Sequence, residues 1–98
     1  LLTAINEVIN NKGGLALSNQ SEIQSIALPV AGLMSDKDGE WLAEKYNQIH
    51  DASLALGSSL HDPFMVLSFC ALLVIPELKL SDKGLFDGNN FIFTPLKC

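Results

Sequence analysis

The side chains of this sequence that could form a catalytic centre gather around position 61, where a histidine and an aspartate precede an apolar run. His61 and Asp62 are followed by Pro63, and Cys70 lies within the run. A thiol nucleophile needs a neighbouring base or cation that lowers its pKa, and the sequence places none beside Cys70. A carboxylate directly before a proline is also a helix start, because it accepts free N–H groups of the first turn and the proline lacks one. We therefore interpret Asp62 as a helix cap and Cys70 as a small buried hydrophobic residue.

The remaining titratable residues show the spacing of solvated surface groups. His50 and His61 are far apart in the sequence, and neither stands in a ligand motif. Four carboxylates lie between positions 36 and 44, and Glu40 and Glu44 are one turn apart on the exposed face of a predicted helix. The sequence predicts no catalytic residue and no metal ligand, and therefore no cofactor held by this chain.

Composition indicates that part of the apolar surface is covered by something else. The 98 residues are enough for one domain, and 48% of them are hydrophobic. Only 17% are charged, against about 25% in a typical globular domain. A larger parent protein or a homo-oligomer would provide the cover. The sequence begins at Leu1 without an initiator methionine and enters a predicted helix at once, so we expect a fragment of a longer polypeptide.

The net charge of −5 argues against two classes of partner. Nucleic acids are bound by clustered lysines and arginines, which are absent here, and the same reasoning disfavours a membrane surface. The start of the sequence lacks the basic region and the following apolar segment of a secretory signal, so we expect none. Two cysteines, Cys70 and Cys98, do not indicate a disulfide framework. The expected location is the cytoplasm.

The first third of the chain predicts a helix followed by a β-hairpin. The helix spans Leu1 to Asn11, with its aliphatic residues on one face and Asn6, Glu7 and Asn10 on the other, and Gly13-Gly14 ends it. Strands are predicted at 15–18 and 22–28. Because both strand faces carry apolar residues, we expect the first helix on one side of the sheet and the central helix, beginning at Pro63, on the other.

A second helix is predicted after an apolar connection, PVAGLM, at 29–34. Exposed loops are usually polar, so this loop is either a docking surface or a plug for the domain's own core. Ser35 is the predicted N-cap of the helix that follows, and Gly57 its end. Its buried stripe is predicted at Leu42, Tyr46, Ile49, Ser53 and Leu56.

The apolar run at 63–72 is predicted to be a buried helix, with a buried strand as the alternative. Residues 73–75 are expected to be extended, because a proline follows them. Leu78 and Leu80 alternate before the turn at 81–84, and a turn at 87–90 precedes a last strand at 91–93. The predicted fold class is α+β: one domain, with a small antiparallel sheet packed with two to three helices.

Three segments resemble the C-terminal domain of bacterial adenine deaminases. They are the helix and glycine pair running into a strand at 4–17, LPVAGLMSD at 28–36, and DPFMVLSFCALLVIPELKLSDKGLFD at 62–87. The resemblance covers almost the whole chain and is weaker in the middle helix and after position 87. It implies a parent amidohydrolase that converts adenine and water to hypoxanthine and ammonia, with a pair of divalent metal ions, Mn or Fe, in a (β/α)₈ barrel.

None of the parent's metal ligands or catalytic residues maps onto this sequence. The resemblance therefore implies an accessory domain, inactive by itself, that packs on the catalytic barrel of the same polypeptide and supports oligomerisation or shapes the pocket. Seven apolar residues are the candidates for that contact: Pro29, Val30, Leu33, Met34, Phe64, Met65 and Phe69.

Two alternatives remain open at this point. The chain could be a free-standing binding or assembly module descended from that domain, with its apolar surface buried in a homodimer. It could also be an independent enzyme that uses His61, Asp62 and Cys70, although no activating group accompanies them.

Overall fold

The computed structural model describes residues 1–96 of the chain, which form two compact units. The first unit is Leu1–His61, and the second begins at Asp62. Within residues 1–96 there are three α-helices and two small antiparallel sheets, so the α+β prediction is confirmed, with two sheets where one was expected. The elements are α1 (Leu2–Asn10), β1 (Gly14–Ser18), β2 (Ile23–Ala27), α2 (Gly39–Ala55), α3 (Pro63–Cys70), β3 (Leu78–Ser81), β4 (Gly84–Asp87) and β5 (Ile92–Thr94).

The hairpin of β1 and β2 is fixed by its glycines and by its turn. Gly14 has φ +133°, and a Cβ at this position would stand 2.1 Å from the carbonyl oxygen of Ile26, so no other residue fits without moving the strand. At the other end, Asn19 Oδ1 accepts hydrogen bonds from the backbone N–H groups of Ser21 and Glu22, at 2.9 and 2.7 Å. These contacts set the register in which Ala16 is paired with Ser25.

Both faces of this hairpin are covered, as the strand pattern predicts. Ser25 Oγ donates to Glu7 Oε1 of α1 at 2.8 Å, which places α1 on the face that carries Ser25. Ile26 lies on the opposite face because strand side chains alternate, and it is 2% exposed. Helix α2 packs against both strands and supplies Ile49, which is 1% exposed. The sequence predicted that the helix beginning at Pro63 would cover the face of the hairpin that carries Ile26. In the first unit this face is covered by α2.

Helix α2 begins later than predicted. Its N-cap is Asp38, whose Oδ1 accepts the backbone N–H of Trp41 at 2.8 Å. The assignment of the cap to Ser35 was therefore wrong: Ser35 Oγ accepts the N–H of Lys37 in the preceding loop. Sequence reasoning could not separate the two because serine and aspartate are equally good caps.

The second unit opens with α3, whose helical character is confirmed. Asp62 is its N-cap, as predicted, and accepts the N–H of Met65 at 3.1 Å. The helix is not buried, however: Phe64 is its single buried residue, and Cys70 is exposed. Leu73 and Val74 form a turn where an extended segment was predicted, and the N–H of Ile75 donates to the carbonyl of Leu72.

Strands β3, β4 and β5 form the three-stranded sheet of the second unit, in that order. Phe86 of β4 is buried and contacts Phe91 and Phe93 edge to face, with ring centroids 5.5 and 5.2 Å apart. Phe91 belongs to the turn before β5, with φ +58°, so the last strand begins one residue later than predicted.

None of the described helices combines the length and the apolar character needed to cross a bilayer.

Candidate functional site

The residues that might have formed a catalytic centre do not converge into a metal site. His61 is exposed, and half-buried His50 lies in α2, where its backbone carbonyl accepts the hydroxyl of Ser53 at 2.7 Å. Within residues 1–96, no three histidine, cysteine, aspartate or glutamate side chains are grouped so that they could hold a metal ion. The described residues therefore do not fit the metal pair that the resemblance implies. Cys98 lies outside the described residues.

One carboxylate has a perturbed pKa, and its partners explain the shift structurally. The side-chain amide of Asn90, together with the backbone N–H groups of Asn90 and Asn89, holds the pKa of Asp87 below its ordinary value of 3.8. The amide donates to Asp87 Oδ2 at 2.8 Å, and the two N–H groups donate to Oδ1. Asp87 thereby closes the turn between β4 and β5, and this arrangement requires no substrate.

The loop at 29–34, hereafter the 29–34 loop, carries four of the predicted contact residues on its surface. Leu33 is 78% exposed and Met34 58%, and Pro29 and Val30 are exposed as well. Within the first unit the loop therefore presents these side chains outward.

Backbone contacts hold the 29–34 loop in place. Val30 N–H donates to the carbonyl of Met34 at 3.2 Å, and Met34 N–H returns a bond of 3.1 Å to the carbonyl of Val30. Gly13 lies against Gly32 so closely that a Cβ on Gly13 would stand 2.3 Å from the Cα of Gly32. Gly13 thus packs directly against the 29–34 loop, and a larger residue at this position would displace the loop.

The outward face of α3, hereafter the α3 face, consists of Met65, Val66 and Phe69. These residues lie on the side of the helix opposite Phe64, and between 44% and 51% of each remains exposed. Two of the predicted contact residues, Met65 and Phe69, therefore belong to a surface. Phe64, the third contact residue predicted on this helix, is 7% exposed, and its role in a contact stays a prediction.

A third apolar surface was missed by sequence reasoning. The pattern of α1 predicts that its aliphatic residues face the sheet and that Glu7 faces water. In the structure Glu7 is turned toward the hairpin, and Leu2, Ile5 and Ile9 are exposed. The periodicity of a helix shows which residues share a face but not which face meets the sheet, so no signal in the sequence of α1 alone could have revealed this rotation.

The family model described as the adenine deaminase C-terminal domain matches residues 1–92. The chain belongs to this family. The three resembling segments fall inside the matched range, so the resemblance is confirmed.

Relatives of this adenine deaminase C-terminal domain are about half identical to it. The adenine deaminase of Sulfurovum sp. (strain NBC37-1) is 54% identical over 91 residues, which are 92% of this chain and 17% of the relative. That of Methanosarcina mazei is 47% identical over 96 residues, 98% of this chain and 17% of the relative. That of Borreliella burgdorferi is 46% identical over 94 residues, 95% of this chain and 17% of the relative. The chain thus spans about a sixth of the length of these curated relatives.

No solved structure matches the chain.

Proposed function

We propose that this chain is the accessory C-terminal domain of an adenine deaminase, inactive by itself, which packs on the catalytic part of the same polypeptide. The observation that carries the proposal is that a member of a C-terminal domain family also exposes large apolar side chains. The domain family is part of proteins about six times longer, and the chain exposes large apolar residues, among them Leu33 and Phe69. Apolar surfaces of this kind are typical of sites that another surface covers.

The reaction itself is proposed for the remainder of the protein. There, adenine and water would give hypoxanthine and ammonia, with divalent metal ions such as Mn or Fe bound by the residues of a barrel. Cytoplasmic purine metabolism is the setting we infer for such an enzyme, and assembly into a homo-oligomer is a further role that the exposed surfaces would support.

The proposal is tested by separating the chain from its parent and by exchanging it between parents. The purified 98-residue chain should show no adenine deamination with added Mn²⁺ or Fe²⁺. The same chain, placed where the Sulfurovum enzyme has its own C-terminal domain, should support deamination, whereas deletion of that domain should lower the stability or the activity of the enzyme.

Two results would overturn the proposal. One is turnover of adenine by the isolated chain. The other is a Sulfurovum enzyme that keeps full activity and an unchanged melting temperature after its C-terminal domain is removed, because a domain that packs on the catalytic part must stabilise it.

A further inference from the structure

An apolar groove runs along α1 of the first unit, where it is open to solvent. Six residues line it: Leu1, Ala4, Ile5, Val8, Ile9 and Ala16. None of their side chains carries a charge, a hydroxyl or an amide. Apolar surface of this kind, hereafter the α1 groove, gains nothing from contact with water and is stabilised by an apolar occupant.

The rotation of α1 is what leaves the groove open. Glu7 Oε1 accepts hydrogen bonds from the hydroxyl of Ser25 at 2.8 Å and from the side-chain amide of Asn11 at 3.2 Å. This polar network occupies the side of α1 that meets the hairpin. Ile9 is consequently 65% exposed and Ile5 46% exposed, although both are among the most apolar residues of the helix.

An occupant of the groove is indicated by the position of this domain in its family. In the Sulfurovum relative the matched segment is 17% of the protein, and the family is a C-terminal domain, so the larger part of such a protein precedes it. That part precedes the matched domain segment, whose first element is α1. A segment tethered at this point has an effective concentration on the order of millimolar at the groove, above that of a second copy in ordinary solution.

We propose that the α1 groove seats an apolar segment of the catalytic part of the same polypeptide, the part that precedes Leu1. The proposal rests on the proposed function and adds a third contact, at the junction itself, to the 29–34 loop and the α3 face. In this arrangement the network around Glu7 sets the rotation of the helix, and the aliphatic residues hold the junction closed.

The experiment uses the full-length deaminase that contains this chain, with Ile5→Gln and Ile9→Gln combined. Glutamine is a good helix former, so α1 is kept while its apolar surface is lost. The matched control is Leu54→Gln, because Leu54 is also helical and is 45% exposed, close to the 46% of Ile5. Limited proteolysis at the junction before Leu1 is the measurement.

The double variant should be cleaved about tenfold faster than the wild type, because polar side chains in an apolar contact favour its opening. The control should be cleaved at the wild-type rate. When the double variant and the control are made in the isolated 98-residue chain, the melting temperature of each should lie within about 4 °C of the wild type, because the substituted residues are exposed there.

Equal cleavage of the double variant, the control and the wild type would overturn the proposal. So would a wild-type 98-residue chain that sediments as a dimer and becomes monomeric in the double variant, because a second copy would then occupy the groove. A failure of the proposed function is recognised separately, by adenine turnover in the isolated chain or by a deaminase that is unaffected when the domain is deleted.

Discussion

Helices α2 and α3 begin in the same way, yet α2 buries one narrow side while α3 exposes apolar side chains around most of its circumference. In α2 the buried residues are Ile49 and Ser53, and the opposite side carries a polar pair in which Gln48 donates to Glu44 at 3.2 Å. In α3 a single residue, Phe64, is buried. A helix that is apolar on all sides is typical of a protein interior. Helix α3 has this composition, yet most of its apolar side chains are exposed.

The start signals do not explain the difference. Asp38 caps α2 through Trp41 N–H at 2.8 Å, and Asp62 caps α3 through Met65 N–H at 3.1 Å. Local chemistry therefore defines where each helix begins, whereas the burial of a helix depends on how much apolar surface other segments can pack against it. For α2 this chain is sufficient, and for α3 the proposed cover is the catalytic part.

The largest effect is expected in the buried stripe of α2. Ile49→Ala removes a side chain that is 1% exposed, and it should destabilise the chain by about 3 kcal/mol, since both transfer free energy and packing are lost. Urea unfolding followed by circular dichroism measures the change. If the variant does not fold, Ile49→Val should cost about 1 kcal/mol.

Leu67→Ala provides the matched test on α3, because Leu67 is 66% exposed. It should change the free energy of unfolding of the isolated chain by no more than about 0.5 kcal/mol. Equal costs for Ile49→Ala and Leu67→Ala would remove the contrast between the two helices.

The cap of α2 gives the next largest effect expected in the isolated chain. Asp38→Ala should destabilise the chain by about 1 kcal/mol, because the N–H of Trp41 loses its acceptor. Ser35→Ala should stay within about 0.5 kcal/mol, since Ser35 bonds in the loop before the helix. A greater loss from Ser35→Ala than from Asp38→Ala, measured by thermal unfolding, would restore the cap that the sequence suggested.

The α3 face should respond differently in the isolated chain and in the proposed full-length deaminase. Phe69→Gln should cost the isolated chain about 0.5 kcal/mol or less, because the ring is half exposed and glutamine suits a helix. In the full-length deaminase the same change should cost about 2 kcal/mol if the catalytic part covers this face. Melting temperatures of both proteins give the comparison, and equal shifts in the two would argue against a buried α3 face.

The smallest effect is the pH dependence contributed by Asp87. Its folded pKa is depressed by the amide and N–H donors of Asn90 and by the N–H of Asn89, so its contribution to stability is complete above the ordinary value of 3.8 and is lost as the pH falls through the folded value. Asp87→Asn should therefore lower the free energy of unfolding at about pH 6. Below about pH 4 the variant and the wild type should become more similar in stability, because the wild-type carboxylate loses its contribution there. A constant difference across this range, in urea titrations at each pH, would show that the ionised form is not favoured by the turn.

Much of the local structure could be predicted because local signals were strong. Asp62 with Pro63 began α3, and the short polar connection between the first two strands formed a hairpin, whereas the left-handed residue that ends α1 is Lys12 and not a glycine. Ser35 and Asp38 were equivalent candidates for the N-cap of α2, and the choice of Ser35 was wrong. Only the backbone geometry, which the sequence does not show, distinguishes the two positions. The exposure of Cys70 was also missed, since an apolar neighbourhood in sequence was taken for an apolar neighbourhood in space.

The candidate surfaces were predicted in part. The 29–34 loop and the outward positions of α3 followed from apolar residues in places where polar ones are usual. The α1 groove did not, because it depends on Glu7 meeting Ser25, a pairing between residues 18 positions apart. Nor could the sequence show that Phe64 turns inward while Phe69, on the same helix, turns out.

The sequence by itself determined the family of this chain, the types and approximate limits of its helices and strands, and the excess of apolar residues over what so small a domain can bury. Tertiary structure alone decided the rotation of α1 and the side chains that remain exposed. The physical reason is that caps, turns and periodicity act over a few residues, whereas burial is settled when distant segments compete for the same limited interior.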